Sequence, residues 1–425
     1  MPEGSYENQE NGGGLLSLLE AYGYADPGLS QANRAYLQRR QFGWNFRFRN
    51  NDDVLSYQIE WLTNAYFHSI YDPNINKENQ KLSFRWLLLQ ALPDGGSINY
   101  NSPSSTTLAS ISYQGAVELS DPQLLWLFGR SLDYLEKTGG YLNALPGAER
   151  PINTMIATSP SVGSCLIFAD SGLPNQRGAL APDKIVFRDG WEPDSAYLLI
   201  NLRFTGWHRY KAINTISLLY QKEPLISEQI PYEENSLLPR GRSILRDKRI
   251  PRENLNGLIV ERVGLDKTIQ SVTQIGSQWA QDPPGYAMVK DFIAHPQYAY
   301  ANIIVPQWNG WIQESEVYLY PGNALIILNK AQTSTNVKAA NHYFYIKKGT
   351  SILNTYTLSE TQITPVTGSL SEILQTEINN KLKLLTILPL GQWNQAKMHI
   401  TPFYNADKLN LKINGENWII INTHP

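Results

Sequence analysis

Between Gly206 and Tyr220 the chain reads GWHRYKAINTISLLY, which sets His208 between a tryptophan and an arginine at the mouth of an apolar, strand-like run. Imidazole titrates near neutrality, so His208 can act as a base. Arg209 and Lys211 can offset the charge of an anionic group, with arginine the better bidentate partner. Trp207 and Tyr210 add aromatic faces beside them. In an extended strand His208, Tyr210 and Ala212 face one way, and Arg209 and Lys211 the other. Both sets meet one substrate only where the backbone bends, and Gly206 permits such a bend. The plain alternative is that a lone histidine is structural or merely exposed. The chain has only six histidines, and His295, His342, His399 and His424 show no ligand-like spacing and receive no role. His68, in AYFHSIY, falls beside an apolar helix stripe and reads as a packed residue.

Other stretches carry candidate chemistry. In QRRQFGWNFRFRN, Arg39, Arg40, Trp44, Arg47 and Arg49 interleave guanidinium groups with rings, which suits a cleft for sugar acids and equally suits a solvated basic helix end. Asn99, Tyr100 and Asn101 stand in a turn-rich segment, LPDGGSINYN. Arg188, in KIVFRDGW, joins the set of candidate substrate-binding residues. The single cysteine, Cys165, excludes an internal disulfide, a cysteine zinc site and a CxxC redox pair. It sits in an apolar run, GSCLIFAD, and reads as a buried structural thiol.

The elements that must hold these residues differ along the chain. With 425 residues and 36 basic against 38 acidic side chains, two unlike domains are expected and no general nucleic-acid surface. From residue 1 to about 150 the period is helical. Leu55, Ile59, Leu62, Tyr66 and Ile70 mark one face, and SDPQLLWLFGRSLDYLEKTGG offers Ser120 as N-cap, Pro122 early and Gly139 past the end. From 151 to 425 the period becomes alternating. YLLINLRF predicts a half-buried strand, with Tyr197 and Asn201 on its polar side. SEVYLYPGNALIILNK predicts two strands around Pro321-Gly322-Asn323. LNLKINGENWIIIN predicts a hairpin turning at Asn414-Gly415. No stretch is long and apolar enough to span a membrane, so no membrane span is expected.

The order of LPDGGSINYN, FADSGLPNQRGALAPDKIVFRDGW and YLLINLRFTGWHRYKAINTISLLYQKEPLI resembles the heparinase II/III-like polysaccharide lyases. That resemblance covers most of residues 1 to 330. It implies an α+β multidomain fold, a partial (α/α) toroid followed by a large antiparallel β-sandwich. MPEGSYENQ resembles a segment midway through the family's toroid, so the first helices of that domain are expected to be missing. MPEGSYENQENGGG has neither the basic start nor the apolar core of a signal peptide, and a periplasmic or secreted location is implied by the resemblance alone.

The resemblance also implies roles. His208 matches the first histidine of the family's Gly-x-His-x-His-x-Asp pattern. The second histidine, a zinc ligand, falls on Tyr210, the aspartate after it on Ala212, and a further zinc-binding aspartate at or next to Ser227. No histidine stands near RENLNGLIVER. No metal or other cofactor is therefore expected. The family's catalytic tyrosine lies close to EGSYE, where Tyr6 stands at a different offset. The implied activity is β-elimination on a uronic-acid-containing polysaccharide without zinc, with His208, Arg209 and Tyr6 catalytic. Trp207, Tyr210, Lys211, Asn99, Tyr100, Asn101 and Arg188 would bind the acidic polysaccharide or oligosaccharide. The competing expectation is a non-catalytic carbohydrate-binding or assembly protein on the same scaffold.

Overall fold

A computed structural model describes residues 62, 77–97, 106–140, 142, 155–170, 180–202, 214–227, 256–260, 287–308, 311–333, 339–344, 346, 354–359, 362–366, 373–377, 380–391, 400–405, 408–413 and 416–421. The expected toroid helices before residue 77, Leu62 aside, and the expected boundary near Pro151 lie outside them. The described helices are α1 (Lys77–Gln90), α2 (Thr106–Leu119) and α3 (Pro122–Thr138). None of them is long and apolar enough to cross a membrane.

α3 shows how local chemistry sets element ends. Pro122 opens it, Gly139 closes it in the left-handed region at φ 70°, and Gly140 N–H reaches back to Leu135 O. The N-cap is Asp121 rather than Ser120. Its carboxylate accepts from the N–H groups of Gln123 and Leu124, while Ser120 is displaced into positive φ. An aspartate accepting two amide hydrogens at the positive end of the helix dipole outcompetes a serine one residue earlier.

Every described strand pair is antiparallel, as the alternating period predicts. A five-stranded sheet runs β1 (Cys165–Asp170), β2 (Leu180–Arg188), β3 (Ala196–Asn201), β4 (Thr215–Gln221) and β5 (Glu223–Ser227) in sequence order. Next come β6 (Gly257–Val260), β7 (Met288–His295), β8 (Tyr298–Trp308), β9 (Trp311–Tyr320), β10 (Ala324–Thr333), β11 (Ala339–Tyr343), β12 (Asn354–Leu358) and β13 (Ile363–Pro365). They are followed by β14 (Ile373–Glu377), β15 (Lys381–Pro389), β16 (Ile400–Asn405), β17 (Lys408–Ile413) and β18 (Glu416–Ile421). A seven-stranded sheet is ordered β13-β12-β15-β10-β9-β8-β7, and two three-stranded sheets are β14-β11-β6 and β16-β17-β18. The two hairpins read from sequence are present, β9 with β10 and β17 with β18.

The layers follow from which faces are apolar. Ile185, Phe187, Leu198, Ile200 and Leu219 of the five-stranded sheet share one core with Ala301, Ile303, Val317, Leu319, Leu325 and Leu384 of the seven-stranded sheet. This is sandwich packing. The other face of the five-stranded sheet, through Val186, Tyr197, Leu199 and Leu218, meets Phe84, Trp86, Leu87 and Leu88 of α1 and Leu124 and Leu127 of α3. Beyond the seven-stranded sheet, Ile326, Leu328 and Leu385 meet Leu409 and Leu411 of β17. β3 therefore corrects its sequence reading. All six of its residues are buried, Tyr197 and Asn201 included, because helices cover the face that alternation assigns to solvent.

Candidate functional site

The end of the five-stranded sheet where β3 gives way to β4 flanks the His208 stretch of the sequence. Residues 203–213, with Trp207, His208, Arg209, Tyr210 and Lys211, lie outside the described residues, as do Tyr6, Asn99, Tyr100 and Asn101. Their attachment points are described. Asn201 pairs with Thr215, and Asn214 N–H donates to Asn201 O at 2.9 Å. Ser227 leaves β5 opposite Leu218, toward the same end. Asn256, from RENLNGLIVER, bridges to Ile216 there: Ile216 N–H donates to Asn256 O at 2.9 Å, and Asn256 Nδ2 donates to Ile216 O at 3.2 Å. Gly257 sits at φ 141° with Asn214 O 3.2 Å from where a Cβ would stand, so the close approach needs glycine. Three segments far apart in sequence thus converge on one strand end.

Under that end lies a charge pair that sequence reasoning missed. β1 and β2 slip register at Ile167/Phe168, which makes Asp183 the extra residue of a bulge, with no register partner on β1. A bulge of this kind lets neighbouring side chains share a face. Asp183 and Lys184 both have no exposed surface, and Lys184 Nζ stands 3.5 Å from Asp183 Oδ2. Trp86 of α1 donates its indole N–H to the same oxygen at 2.6 Å, and the ammonium lies 5.4 Å from the Trp86 ring centre. Asp183 O in turn accepts from Leu202 N–H, directly before the 203–213 segment. The only sequence signal was a Pro-Asp-Lys triplet inside an otherwise apolar run.

A second polar chain ties the same end to the opposite sheet. Asn214, in the left-handed region at φ 62°, donates through Nδ2 to Ser315 Oγ at 2.6 Å, and Ser315 donates to Asn329 Oδ1 at 2.6 Å. Asn329 Nδ2 then faces His342 Nε2 at 3.4 Å. Donation runs one way along this chain, so Nε2 must accept and Nδ1 must carry the hydrogen. His342 is 1% exposed, Nδ1 has no partner among the described residues, and its ring meets Phe344 edge-on. Burial lowers its pKa to about 3. The sequence assigned this histidine no role.

That geometry carries a pH prediction. A histidine whose pKa falls from roughly 6.5 unfolded to about 3 folded stabilises the fold fully above the unfolded value. The contribution is lost as pH falls from there toward the folded value, at up to about 1.4 kcal/mol per pH unit. Chemical denaturation at pH 7 and pH 5 is expected to show that loss in the native chain and a smaller one in His342→Leu. Equal losses in both proteins would refute it.

Arg188 stands at the other end of β2, opposite Tyr197 rather than Asn201. It is 4% exposed, donates from Nη2 to Leu89 O at 2.8 Å and Ala91 O at 3.0 Å, and stacks 3.6 Å from the Trp191 ring centre. Burial lowers its pKa to about 10, which leaves it charged at neutral pH. Capping the negative end of α1 is what this geometry does, with Tyr197 Oη donating to Gln90 O at 2.8 Å beside it. The structure thus sets Arg188 in the joint between helices and sheet, away from the convergent end. Cys165 is nearby and partly buried, and burial pushes its thiol up, so it is no ready thiolate. Among the described residues no group of three His, Cys, Asp or Glu side chains could hold a metal ion.

No family model matches the sequence, and no curated protein matches it. Solved structures do match in fold. A heparinase III aligns at a TM-score of 0.63 and 11% identity over 98% of this chain and 68% of its own. A second heparinase III gene product aligns at 0.59 and 10% over 97% and 66%. The heparan sulfate lyase HepC from Pedobacter heparinus aligns at 0.60 and 10% over 97% and 67%. The chain thus has a heparinase III-like fold, related to those lyases distantly and spanning about two thirds of their length.

Proposed function

We propose that this protein cleaves a uronic-acid-containing polysaccharide by β-elimination, without zinc. The observation that carries the proposal is the likeness in fold to heparinase III and heparan sulfate lyase over nearly the whole chain. The residues that flank the His208 segment, Asn201 and Asn214, share one strand end with Ser227 and Asn256, which supports it. In the proposed reaction His208 removes the proton beside the uronate carboxylate. The electron pair of that C–H bond forms the carbon-carbon double bond, the bond to the O4-linked sugar breaks, and Tyr6 returns a proton to the leaving oxygen. Arg209 and Lys211 offset the charge that grows on the carboxylate. Trp207, Tyr210, Asn99, Tyr100 and Asn101 hold the sugars. The products are an unsaturated uronate end and a shortened chain, with no water consumed.

One observation favours a second reading, a carbohydrate-binding protein that no longer cleaves. Tyr210, Ala212 and Ser227 stand where the resemblance puts acidic or imidazole side chains. Incubation with heparan, chondroitin, hyaluronan and alginate polymers separates the two. Under the lyase reading ultraviolet absorbance of unsaturated products rises on at least one polymer, and a chelator does not suppress it. Binding to a polymer with no absorbance change on any of them would establish the second reading instead.

A further inference from the structure

β7 ends the seven-stranded sheet, and among the described residues no strand pairs with its far side. An edge of this kind presents unpaired N–H and C=O groups to whatever approaches. Its side chains are open as well: Met288 is 50% exposed and Ile293 38%, and Lys290 and Asp291 are exposed.

The register with β8 runs Met288 to Ile304 and Val289 to Ile303, then resumes with Asp291 to Asn302, Phe292 to Ala301 and Ile293 to Tyr300. Lys290 is the extra residue of a bulge. That insertion resets which side chains share a face. Val289 and Phe292 both pack against the sandwich core, with Phe292 6.0 Å from the Phe187 ring. Met288, Asp291 and Ile293 look outward.

This pattern is complementary to itself when reversed. Set antiparallel about a two-fold axis between residues 290 and 291, Met288 meets Ile293 on the outer face and Val289 meets Phe292 on the inner face. Lys290 meets Asp291, twice by symmetry. A slip of one residue either way sets Lys290 against Lys290 or Asp291 against Asp291. It also turns outward residues against inward ones. A lysine and a bulge on an edge strand ordinarily block open-ended pairing. Here they block the neighbouring registers and leave one matched.

We propose that β7 pairs with β7 of a second copy of this chain in that register, joining the two seven-stranded sheets into one. The contact is isologous, so it closes at a dimer and builds no filament.

Sedimentation equilibrium of the full chain across a concentration range tests this. The native protein is expected to reach twice the chain mass. Lys290→Asp or Asp291→Lys alone opposes like charges at two places and is expected to weaken dimerisation by about tenfold or more. The double variant Lys290→Asp/Asp291→Lys restores the opposite-charge pairs and is expected to recover the native dissociation constant. Circular dichroism verifies that these exposed positions leave each variant folded. A native monomer at every concentration, a dimer indifferent to the single reversals, or a double variant that fails to recover would each overturn the proposal.

Discussion

Replacing His208 by alanine is expected, on the proposed lyase activity, to lower kcat/KM for polysaccharide cleavage by a factor on the order of 10²–10⁴, the usual contribution of a positioned general base. Circular dichroism and chemical denaturation of the variant separate a loss of catalysis from a loss of fold. Arg209→Ala should be less severe than His208→Ala, because Lys211 leaves a second cation in the same segment, and Arg209→Lys should restore part of the loss. Oligosaccharide affinity should fall far less than turnover in His208→Ala, since removing a proton-transfer group acts on the transition state. A His208→Ala protein that keeps more than about a tenth of native turnover would take the base role from this residue, because a loss that small falls below the range for general-base catalysis.

What sequence patterns reveal depends on how local the cause is. The α3 ends were legible at Pro122 and Gly139 because caps depend on a few adjacent residues, and the error at Ser120 against Asp121 is one residue wide. The β9–β10 and β17–β18 hairpins were legible for the same reason. β10 pairing with β15, some fifty residues on, has no such local cause, and nothing in its periodicity distinguishes β15 from β11 as partner. β3 misled because alternation reports polarity, not cover, and Tyr197 is buried by helices read as a separate region. His208 and its cationic neighbours were proposed from residue type alone and lie outside the described residues. Asp183 and Lys184 were not legible, because two adjacent charges in a strand ordinarily mark its solvated side. Both faces of this sheet are covered, and the register slip at Ile167/Phe168 brings the two side chains together on the helix side.

That buried pair carries the largest expected effect on stability. Asp183→Ala removes the carboxylate 3.5 Å from Lys184 Nζ and the acceptor of the Trp86 indole, in a place where neither Asp183 nor Lys184 has exposed surface. Removing one partner of a buried ion pair typically costs about 3–5 kcal/mol, because the remaining charge stays desolvated without its compensation. Asp183→Asn should fall between native and alanine, since an amide oxygen can still accept from Trp86 while the charge attraction is gone. The double variant Asp183→Ala/Lys184→Met should be more stable than Asp183→Ala alone, because it removes the uncompensated ammonium and leaves an apolar chain of similar length against the Trp86 ring. Chemical denaturation of the four proteins, followed by tryptophan fluorescence, gives the ranking. If Asp183→Ala unfolds within about 1 kcal/mol of native, or the double variant is no better than the single, then the pair does not hold α1 on the sheet. In that case the strand end where β3 gives way to β4 must be supported chiefly by the chain from Asn214 to His342.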